Sequence, residues 1–330
     1  MTAAVDDTLS MVEETVFHLF ESIAADTTVP PAAVGDRLTE LGWAEIEVEY
    51  PAEADRLLYR AQGRFLTQTD CLDRAMLAEL TPLAGHRITA MVLPTTGDGY
   101  DPGLDSRAFS GLLTGPVEGV VAVPISGSSG SVEIGLVDVG TLQTRPLDTF
   151  DRSLHWLQVH GAVDTTVPAT AQWRRAVSAA HRGIATELVA LADEMLGIAV
   201  DHGVARVQFG RPIGSYQSPR HALAEATAVL EGTRALLDEA WRRRDEFSST
   251  LARTSAGRAH RTVCDVALQV CGAIGLTAEH RLHRYVVRGF QLDSLLGSYR
   301  HHEATLARDL FGENCPGTGL PTIVSWDRPR

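Results

Sequence analysis

Hydrophobic residues recur at intervals of three and four along the first part of the chain, which is the spacing of one face of an α-helix. One such series comprises Leu9, Val12, Val16, Leu19, Phe20 and Ile23. A shorter series surrounds Leu38, and the longest extends over residues 53–83. The pattern therefore predicts a helical amino-terminal domain over residues 1–85.

A different pattern follows, in which short β-branched runs alternate with clusters of Gly, Pro, Asp and Ser. The runs occupy residues 88–93, 119–124 and 132–139, and residues 126–131 (SGSSGS) form a loop between the last two. Runs and turns of this kind are typical of strands, so we predict a small β-domain over residues 86–165.

Helical spacing returns in the last part of the chain and persists over four long stretches. We predict helices over residues 169–202, from Pro219 to about Trp241, over 248–274, and over 281–311 with a break near Gly289. Four consecutive helices of this length predict an antiparallel bundle over residues 166–330. The predicted fold class is mainly α with a central small β-domain.

The composition is that of a globular protein, with 44% hydrophobic and 22% charged residues. A formal net charge of -13 disfavours nucleic acid as the main partner, because phosphate binding needs a basic surface. All 29 basic residues are Arg, which excludes any mechanism that needs a lysine nucleophile or Schiff base. The four cysteines have no zinc-ligand spacing, so we predict reduced thiols and no metal.

No stretch approaches the roughly 18 apolar residues of a membrane span, and the acidic amino terminus has no signal-peptide pattern. We therefore predict a soluble cytoplasmic protein with no membrane partner.

The segment between the first two predicted bundle helices, residues 206–217, is RVQFGRPIGSYQ. It resembles the RxQFGxPIxxFQ signature of the acyl-CoA dehydrogenase family. Residues 269–275, QVCGAIG, are similar to the family's QxxGGxG, with Ala273 in place of the second Gly. Residues 38–43, LTELGW, are similar to its LxxLGW element. The resemblance implies the family's order of a helical domain, a β-barrel-like middle domain and a four-helix bundle.

The resemblance also implies FAD as the cofactor and assigns contacts with its ADP portion to Arg206, Gln208, Phe209, Tyr216, Gln217, Gln269 and Gly272. In the family these residues reach across a subunit interface to hold a neighbour's FAD. The guanidinium group of Arg206 suits a pyrophosphate, and Phe209 offers an aromatic face. The glutamine amides can hydrogen-bond the cofactor without adding charge.

The residues that the family uses for its own chemistry are missing. A carboxylate, normally Glu, removes the α-proton of the acyl-CoA while flavin N5 takes the β-hydride. Aligned from Gln269, this Glu falls at Leu296, and the base position used by other members, counted back from Arg206, falls at Ala180. Neither side chain accepts a proton, so we predict no catalytic residue. The family's TEPxAGSD-like loop is also absent from residues 91–99.

The chain thus retains the residues that would contact the FAD of a neighbouring subunit and lacks the residues of its own active site. In this it resembles the short, non-catalytic subunits of actinobacterial α2β2 acyl-CoA dehydrogenases, which often act on steroid-CoA thioesters. The resemblance implies a longer homologous partner subunit that binds most of the acyl-CoA, and electron-transfer flavoprotein as the electron acceptor.

Two alternatives stay open. The chain could be a self-sufficient acyl-CoA dehydrogenase with a relocated base, for which Asp293 and then Glu303 are the candidates. Asp293 could equally be a solvated residue or a partner of Arg288. The chain could also be a relative that does not dehydrogenate acyl-CoA, either another flavoprotein or a scaffold.

Two polar clusters remain. The first comprises His280, His283, His301 and His302 with Glu279 and Glu303. It lacks HExxH or paired ExxH spacing, so we interpret it as a polar helix surface or subunit contact rather than a metal site. The second, WRRRD at residues 241–245, either complements a helix dipole or binds a phosphate of CoA.

Overall fold

The computed structural model describes residues 2–25, 32–80, 88–94, 107–127 and 130–311. Its first helices are α1 (Thr2–Ala25), α2 (Ala32–Glu40), α3 (Trp43–Glu49), α4 (Pro51–Phe65) and α5 (Cys71–Ala78). The prediction of one helix over residues 53–83 was wrong, because Leu66 ends α4 in a left-handed conformation with φ 53°. The Leu66 N–H bonds the carbonyl of Gln62, and the chain then turns into α5.

The middle of the chain forms two four-stranded sheets, one in the order β1-β4-β5-β8 and the other in the order β2-β3-β7-β6. The strands are β1 (Ile88–Met91), β2 (Leu93–Pro94), β3 (Ala108–Leu113), β4 (Val120–Ser126), β5 (Val132–Asp138), β6 (Gln143–Pro146), β7 (Leu157–Ala162) and β8 (Thr166–Pro168). The three predicted strand regions are confirmed. Strands β3 and β7 escaped sequence reasoning because AFSGLL and LQVHGA contain almost no β-branched residues.

The last part is helical, as predicted. It contains α6 (Thr170–Ala205), α7 (Gln217–Arg243), α8 (Glu246–Cys271), α9 (Arg281–Asp293) and α10 (Tyr299–Phe311), with the short strands β9 (Val207–Gln208) and β10 (Arg211–Pro212) between α6 and α7. The predicted fourth bundle helix is two helices, and the break lies at residues 294–298, not at Gly289. Gly289 is inside α9, where a Cβ would lie 1.8 Å from His260 Nε2.

Helix α6 is the centre of the molecule. Every residue from Ser178 to Ala192 is buried, and α4, α5, α7, α8 and α9 all pack around it. Helix α4 approaches it especially closely, since a Cβ at Gly183 would lie 2.2 Å from the ring of Tyr59. A Cβ at Gly63 would likewise lie 2.7 Å from the carbonyl oxygen of Glu187. The two glycines therefore allow α4 and α6 to pack at backbone distance.

One buried guanidinium group joins the three parts of the chain. Arg288 on α9 is 1% exposed and donates to Glu187 on α6 at 2.8 Å. It also donates to Asp151, ahead of β7, at 3.2 Å and to the carbonyl of Thr67, after α4, at 2.6 Å. Because these partners come from distant segments, Arg288 fixes their relative positions.

The thiols of Cys71, Cys264 and Cys271 are free and buried, and Cys315 lies outside the described residues. In the described part of the chain, no single helix has the length and apolar character needed to cross a bilayer.

Candidate functional site

The segment that carries the first family motif forms a tight β-hairpin at the end of α6. Strands β9 and β10 pair in the register Gln208–Arg211 and Val207–Pro212. Between them, Phe209 and Gly210 both have positive φ, at 53° and 81°, as a two-residue type I′ turn requires. The turn leaves the Phe209 side chain 93% exposed, an unusual position for a large aromatic residue.

Four of the predicted cofactor-binding residues, Gln208, Phe209, Tyr216 and Gln269, line one open groove of about 690 Å³. This hairpin groove lies between the hairpin, the start of α7 and the last turns of α8. The Tyr216 hydroxyl donates to the carbonyl of Gln208 at 3.1 Å, and its ring meets Phe209 edge to face at 6.5 Å. The guanidinium group of Arg211 lies 4.1 Å from the centre of the Tyr216 ring.

The other three predicted residues lie outside the lining of the groove. Arg206 ends α6; its N–H bonds the carbonyl of His202 and its carbonyl accepts the N–H of Ile213, both at 2.8 Å. Its side chain is exposed and makes no ion pair within the described residues. Gln217 is the exposed first residue of α7, and Gly272 ends α8 with φ 67°, a conformation that favours glycine.

The donor set of the hairpin groove suits the ADP portion of a dinucleotide. Amides on Gln208 and Gln269 can bond hydroxyl and ring nitrogen atoms, and the rings of Phe209 and Tyr216 offer apolar faces. The carboxylate in the lining, Asp265, is already paired with Arg261 at 3.0 Å. The residues present therefore fit FAD at this position.

Ala180 and Leu296, which occupy the family's base positions, are both buried. Ala180 is fully enclosed within α6, and Leu296 is 2% exposed with φ 53°. Leu296 lies in residues 294–298, here named the α9–α10 turn. The void beside Leu292 and Leu295 has a volume of only about 30 Å³, close to that of one water molecule.

The two carboxylates considered as relocated bases are engaged elsewhere. Asp293 accepts a hydrogen bond from Arg253 at 2.8 Å and another from the backbone N–H of Tyr299 at 3.1 Å. Glu303 is exposed and pairs with Arg258 at 3.0 Å. The suggested pairing of Asp293 with Arg288 was wrong, because Arg288 is taken by Glu187 and Asp151.

A second cavity lies beside the α9–α10 turn and was missed by sequence reasoning. This histidine cavity, of about 490 Å³, is lined in part by Trp173, Ser178, His181, Glu246, His302 and Asp309. The ring of His302 lies 4.7 Å from that of His181, and its Nε2 is 3.0 Å from the carbonyl oxygen of Leu296. His302 is 4% exposed, so its interpretation as a polar surface residue was wrong.

The electrostatics of the histidine cavity make its buried imidazoles weak bases. Burial, with the nearby Arg253 guanidinium, lowers the pKa of His302 to about 3. Burial also lowers the pKa of His181, and His302 adds to that effect. Neither imidazole is therefore matched to proton abstraction near neutral pH. Among the described residues, no group of His, Cys, Asp and Glu side chains could hold a metal ion.

The loop predicted to have lost the family's TEPxAGSD-like motif can be placed only in part. Residues 91–94 belong to the bend between β1 and β2, which leads from one sheet to the other. Residues 95–106 lie outside the described residues.

Comparison with known proteins places these features in a family context. Residues 171–297, from α6 to the α9–α10 turn, match the family model for the acyl-CoA dehydrogenase C-terminal domain. Acyl-CoA dehydrogenase IpdE2 of Mycobacterium tuberculosis (strain ATCC 25618 / H37Rv) is 27% identical over 289 residues, which cover 87% of this chain and 84% of that protein.

Solved structures share the fold of this chain at lower sequence identity. A variant of the Tcur3481-Tcur3483 steroid ACAD has a TM-score of 0.73 and 20% identity over 92% of this chain and 97% of its own. A chain of the ChsE4-ChsE5 complex from Mycobacterium tuberculosis has a TM-score of 0.67 and 19% identity over 90% and 96%. These similarities confirm the predicted fold class.

Proposed function

We propose that this chain, whose residues 171–297 match the acyl-CoA dehydrogenase C-terminal domain and which is 27% identical to acyl-CoA dehydrogenase IpdE2, is the non-catalytic subunit of a heteromeric, FAD-dependent acyl-CoA dehydrogenase. In this proposal a longer homologous subunit supplies the base and most of the acyl-CoA site. This chain supplies contacts with the ADP portion of the partner's FAD. The reaction is the α,β-desaturation of an acyl-CoA thioester.

The proposal rests on the contrast between the hairpin groove and the family's two base positions. The hairpin groove is open and lined by Gln208 and Gln269, the residues that the family directs at a neighbour's cofactor. Ala180 and Leu296, at the positions of the chain's own base, are buried and have no ionisable group. A chain that contributes to a neighbour's site and not to its own has this combination.

The surface around the hairpin groove supports a protein partner there. The hairpin groove brings the hairpin after α6, the start of α7 and the last turns of α8 to one end of the bundle. Large apolar side chains are exposed there: Val204 on α6 (68%), Phe209 in the hairpin (93%) and Leu276 after α8 (68%). Exposed apolar groups in one region mark an interaction surface more often than a solvated one.

The kind of assembly and substrate is proposed from the relatives. The name ChsE4-ChsE5 denotes a complex, and the Tcur3481-Tcur3483 protein is called a steroid ACAD. We infer by analogy an α2β2 heterotetramer, a steroid-derived acyl-CoA and electron-transfer flavoprotein as the electron acceptor. When bound, FAD accepts the β-hydride of the thioester. The chain's own task is to hold the cofactor's ADP end and to bury the interface.

Co-expression with a longer homologue tests the proposal. We expect a yellow tetramer with one FAD per heterodimer, measured from absorbance against protein concentration, and activity with an acyl-CoA thioester. Expressed alone, the chain should be poorly soluble or free of flavin, because the hairpin surface stays exposed. Stoichiometric FAD on a homo-oligomer of this chain would overturn the proposal.

The self-sufficient alternative is favoured by one observation, the size of the histidine cavity beside the α9–α10 turn. Two carboxylates, Glu246 and Asp309, line that cavity and are exposed. In the alternative, one of them is the α-proton base. Glu246→Gln and Asp309→Asn, each tested in the active complex, should leave turnover per FAD within about threefold if the partner supplies the base. A loss of a hundredfold or more in either variant would favour the alternative.

A further inference from the structure

A third cavity shares no lining residue with the hairpin groove or the histidine cavity. It has a volume of about 230 Å³ and lies where α3, α4, α5 and α6 meet the carboxyl end of α7. We name it the arginine cavity, because its charged lining consists of Arg74, Arg182 and Arg244 with Glu47, Asp55 and Glu79. Trp241, from the basic run WRRRD, also lines it.

Arg182, on α6, is a buried cation with no carboxylate of the described chain in direct contact. It is 2% exposed, its Nη1 donates to the hydroxyl of Ser249 at 3.0 Å, and its guanidinium group lies 5.5 Å from the Trp241 ring. Its Nε is buried without a hydrogen-bond partner. No carboxylate of the described chain lies within 4.0 Å of it. A buried charge normally has a paired opposite charge, so the surroundings of Arg182 are electrostatically incomplete.

The other charged groups of the cavity divide into paired and unpaired ones. Arg74 is held by Glu47 and Asp70, and Glu79 by Arg175. Arg244 directly follows α7 in a left-handed conformation, with φ 57°. Neither Arg244 nor Asp55 forms an ion pair with any residue that the structure describes. Two guanidinium groups and one carboxyl group are therefore left to interact with a ligand.

We propose that the arginine cavity binds a phosphate group through the guanidinium groups of Arg182 and Arg244, while Asp55 shares a proton with a phosphate oxygen. Guanidinium groups match the geometry of phosphate oxygens and bond them with charge assistance. The tetrahedral group can direct separate oxygens to the two arginines and to Asp55, whereas a planar carboxylate divides only two oxygens among them.

The protonation of Asp55 supports the choice of phosphate. Burial raises the pKa of this carboxyl group to about 6, against the opposing effect of Arg74, Arg244 and Arg182. Glu47, on α3, raises it further. The second pKa of a phosphate monoester is also about 6, so one proton can be shared between the two groups. Sulfate carries no proton in this range, so it can bond Asp55 only when the carboxyl group itself is protonated, which becomes less favourable as the pH rises above about 6.

The site is independent of the proposed role in an acyl-CoA dehydrogenase complex. Of the run WRRRD, Trp241 and Arg244 line the cavity, while Arg242 and Arg243 pair with Glu239 and Asp245 at the surface. The free ion and the phosphate of a small phosphorylated molecule offer the same group, and the volume leaves room for a short substituent.

Isothermal titration calorimetry tests the site in the full-length chain, in the assembly in which it purifies. Inorganic phosphate is titrated at pH 6.5 and 7.5, with sulfate and acetate as competing anions and glycerol phosphate as the monoester at pH 6.5. We expect saturable phosphate binding, and binding of sulfate and acetate at least tenfold weaker at pH 7.5, where Asp55 is mainly ionised. Tighter binding of glycerol phosphate would identify a phosphorylated molecule as the ligand, and weaker binding the free ion.

Three arginine variants locate the binding. Arg182→Gln and Arg244→Gln should each weaken phosphate binding by about tenfold to a hundredfold, since each removes a charge-assisted contact. Arg242→Gln is the matched control, because Arg242 is exposed in the same run and pairs with Glu239. Arg244 is exposed, so its variant remains informative if Arg182→Gln does not fold.

Asp55→Asn tests the shared proton, because the ratio of the affinities for phosphate and sulfate does not depend on a purely structural role of Asp55. It should bring the affinities for phosphate and sulfate closer together, because an amide donates to either anion without a shared proton. The proposal is wrong if phosphate does not bind. It is also wrong if Arg244→Gln binds phosphate as the unmodified chain does, or if Asp55→Asn keeps the full preference for phosphate over sulfate.

Discussion

Arg253 on α8 and Asp293 at the end of α9 form a buried ion pair, with 2.8 Å between Nη1 and Oδ1. Arg253 also donates to the backbone carbonyls of Asp293 and Gly297, at 2.7 Å and 3.1 Å. Asp293 in turn accepts the N–H of Tyr299, the first residue of α10. The pair therefore holds the α9–α10 turn, which includes Leu296 at the family's base position, in one conformation.

This contact predicts that Asp293→Asn lowers stability and leaves chemistry intact. The variant removes a charged hydrogen bond from a guanidinium group that has no exposure, so the free energy of unfolding should fall by about 1.5–3 kcal/mol. Glu303→Gln is the matched control. Its pair with Arg258 is exposed and should change stability by less than about 1 kcal/mol. Urea denaturation of the assembled complex measures both.

Turnover per bound FAD separates this structural role from proton abstraction. Both variants should stay within about threefold of the unmodified complex, whereas removal of a general base typically lowers the rate by about 10²–10⁴-fold. A hundredfold loss for Asp293→Asn at full flavin occupancy would identify Asp293 as a relocated base.

Arg206→Ala should weaken the retention of FAD in the complex. The exposed guanidinium group of Arg206 lies at the base of the hairpin, and a charge-assisted contact with a pyrophosphate contributes about 1.5–3 kcal/mol. We expect an FAD dissociation constant about tenfold to a hundredfold higher, measured by flavin fluorescence on dilution. Arg308→Ala, an exposed arginine on α10, should behave like the unmodified complex. Equal retention in both variants would contradict the assignment of Arg206.

Arg288→Met should be among the most destabilising single changes. It leaves Glu187 and Asp151 buried without their cation, and the loss of one partner of a buried pair lowers stability by about 3–5 kcal/mol. Adding Glu187→Gln should recover part of this loss, because one of the two unpaired charges is then removed. Thermal unfolding of the single and double variants measures the recovery. A double variant less stable than Arg288→Met would show that Glu187 is needed for another reason.

Buried histidines should make the chain less stable as the pH falls below about 6.5. Burial lowers the pKa of His260 to about 4 and, with Arg253, that of His302 to about 3. The unfolded chain then binds more protons than the folded one, so the free energy of unfolding falls by about 1.4 kcal/mol per pH unit for each such histidine. Asp55 and Asp73, whose pKa burial raises to about 6, oppose this trend below that value.

The pH dependence is tested by urea midpoints between pH 7.5 and 5.0. His260→Gln should show a shallower slope than the unmodified chain, because one titrating group is removed. His18→Gln is the control, since His18 lies on the exposed face of α1. Identical slopes in all three proteins would show that His260 is accessible to protons in the folded state.

The motifs and the fold class were readable from the sequence because they depend on local patterns. Residues 206–217 predicted cofactor contacts, and four of the seven assigned residues do line one groove. The break at Leu66 was not readable, because a left-handed leucine has no local signal. His302 was misjudged for a similar reason, since its burial depends on α10 packing against α8 and on the contact of its ring with His181, which only the tertiary structure reveals.

The position of Arg288 near the end of the chain has a consequence for how the protein is made. Glu187 and Asp151 emerge from the ribosome more than a hundred residues before their cation, and Thr67 earlier still. The amino-terminal helices also need α6 to cover their apolar faces. A chain that ends before residue 288 lacks the cation that pairs with Glu187 and Asp151, so we expect its folded state to be less stable than that of the full chain.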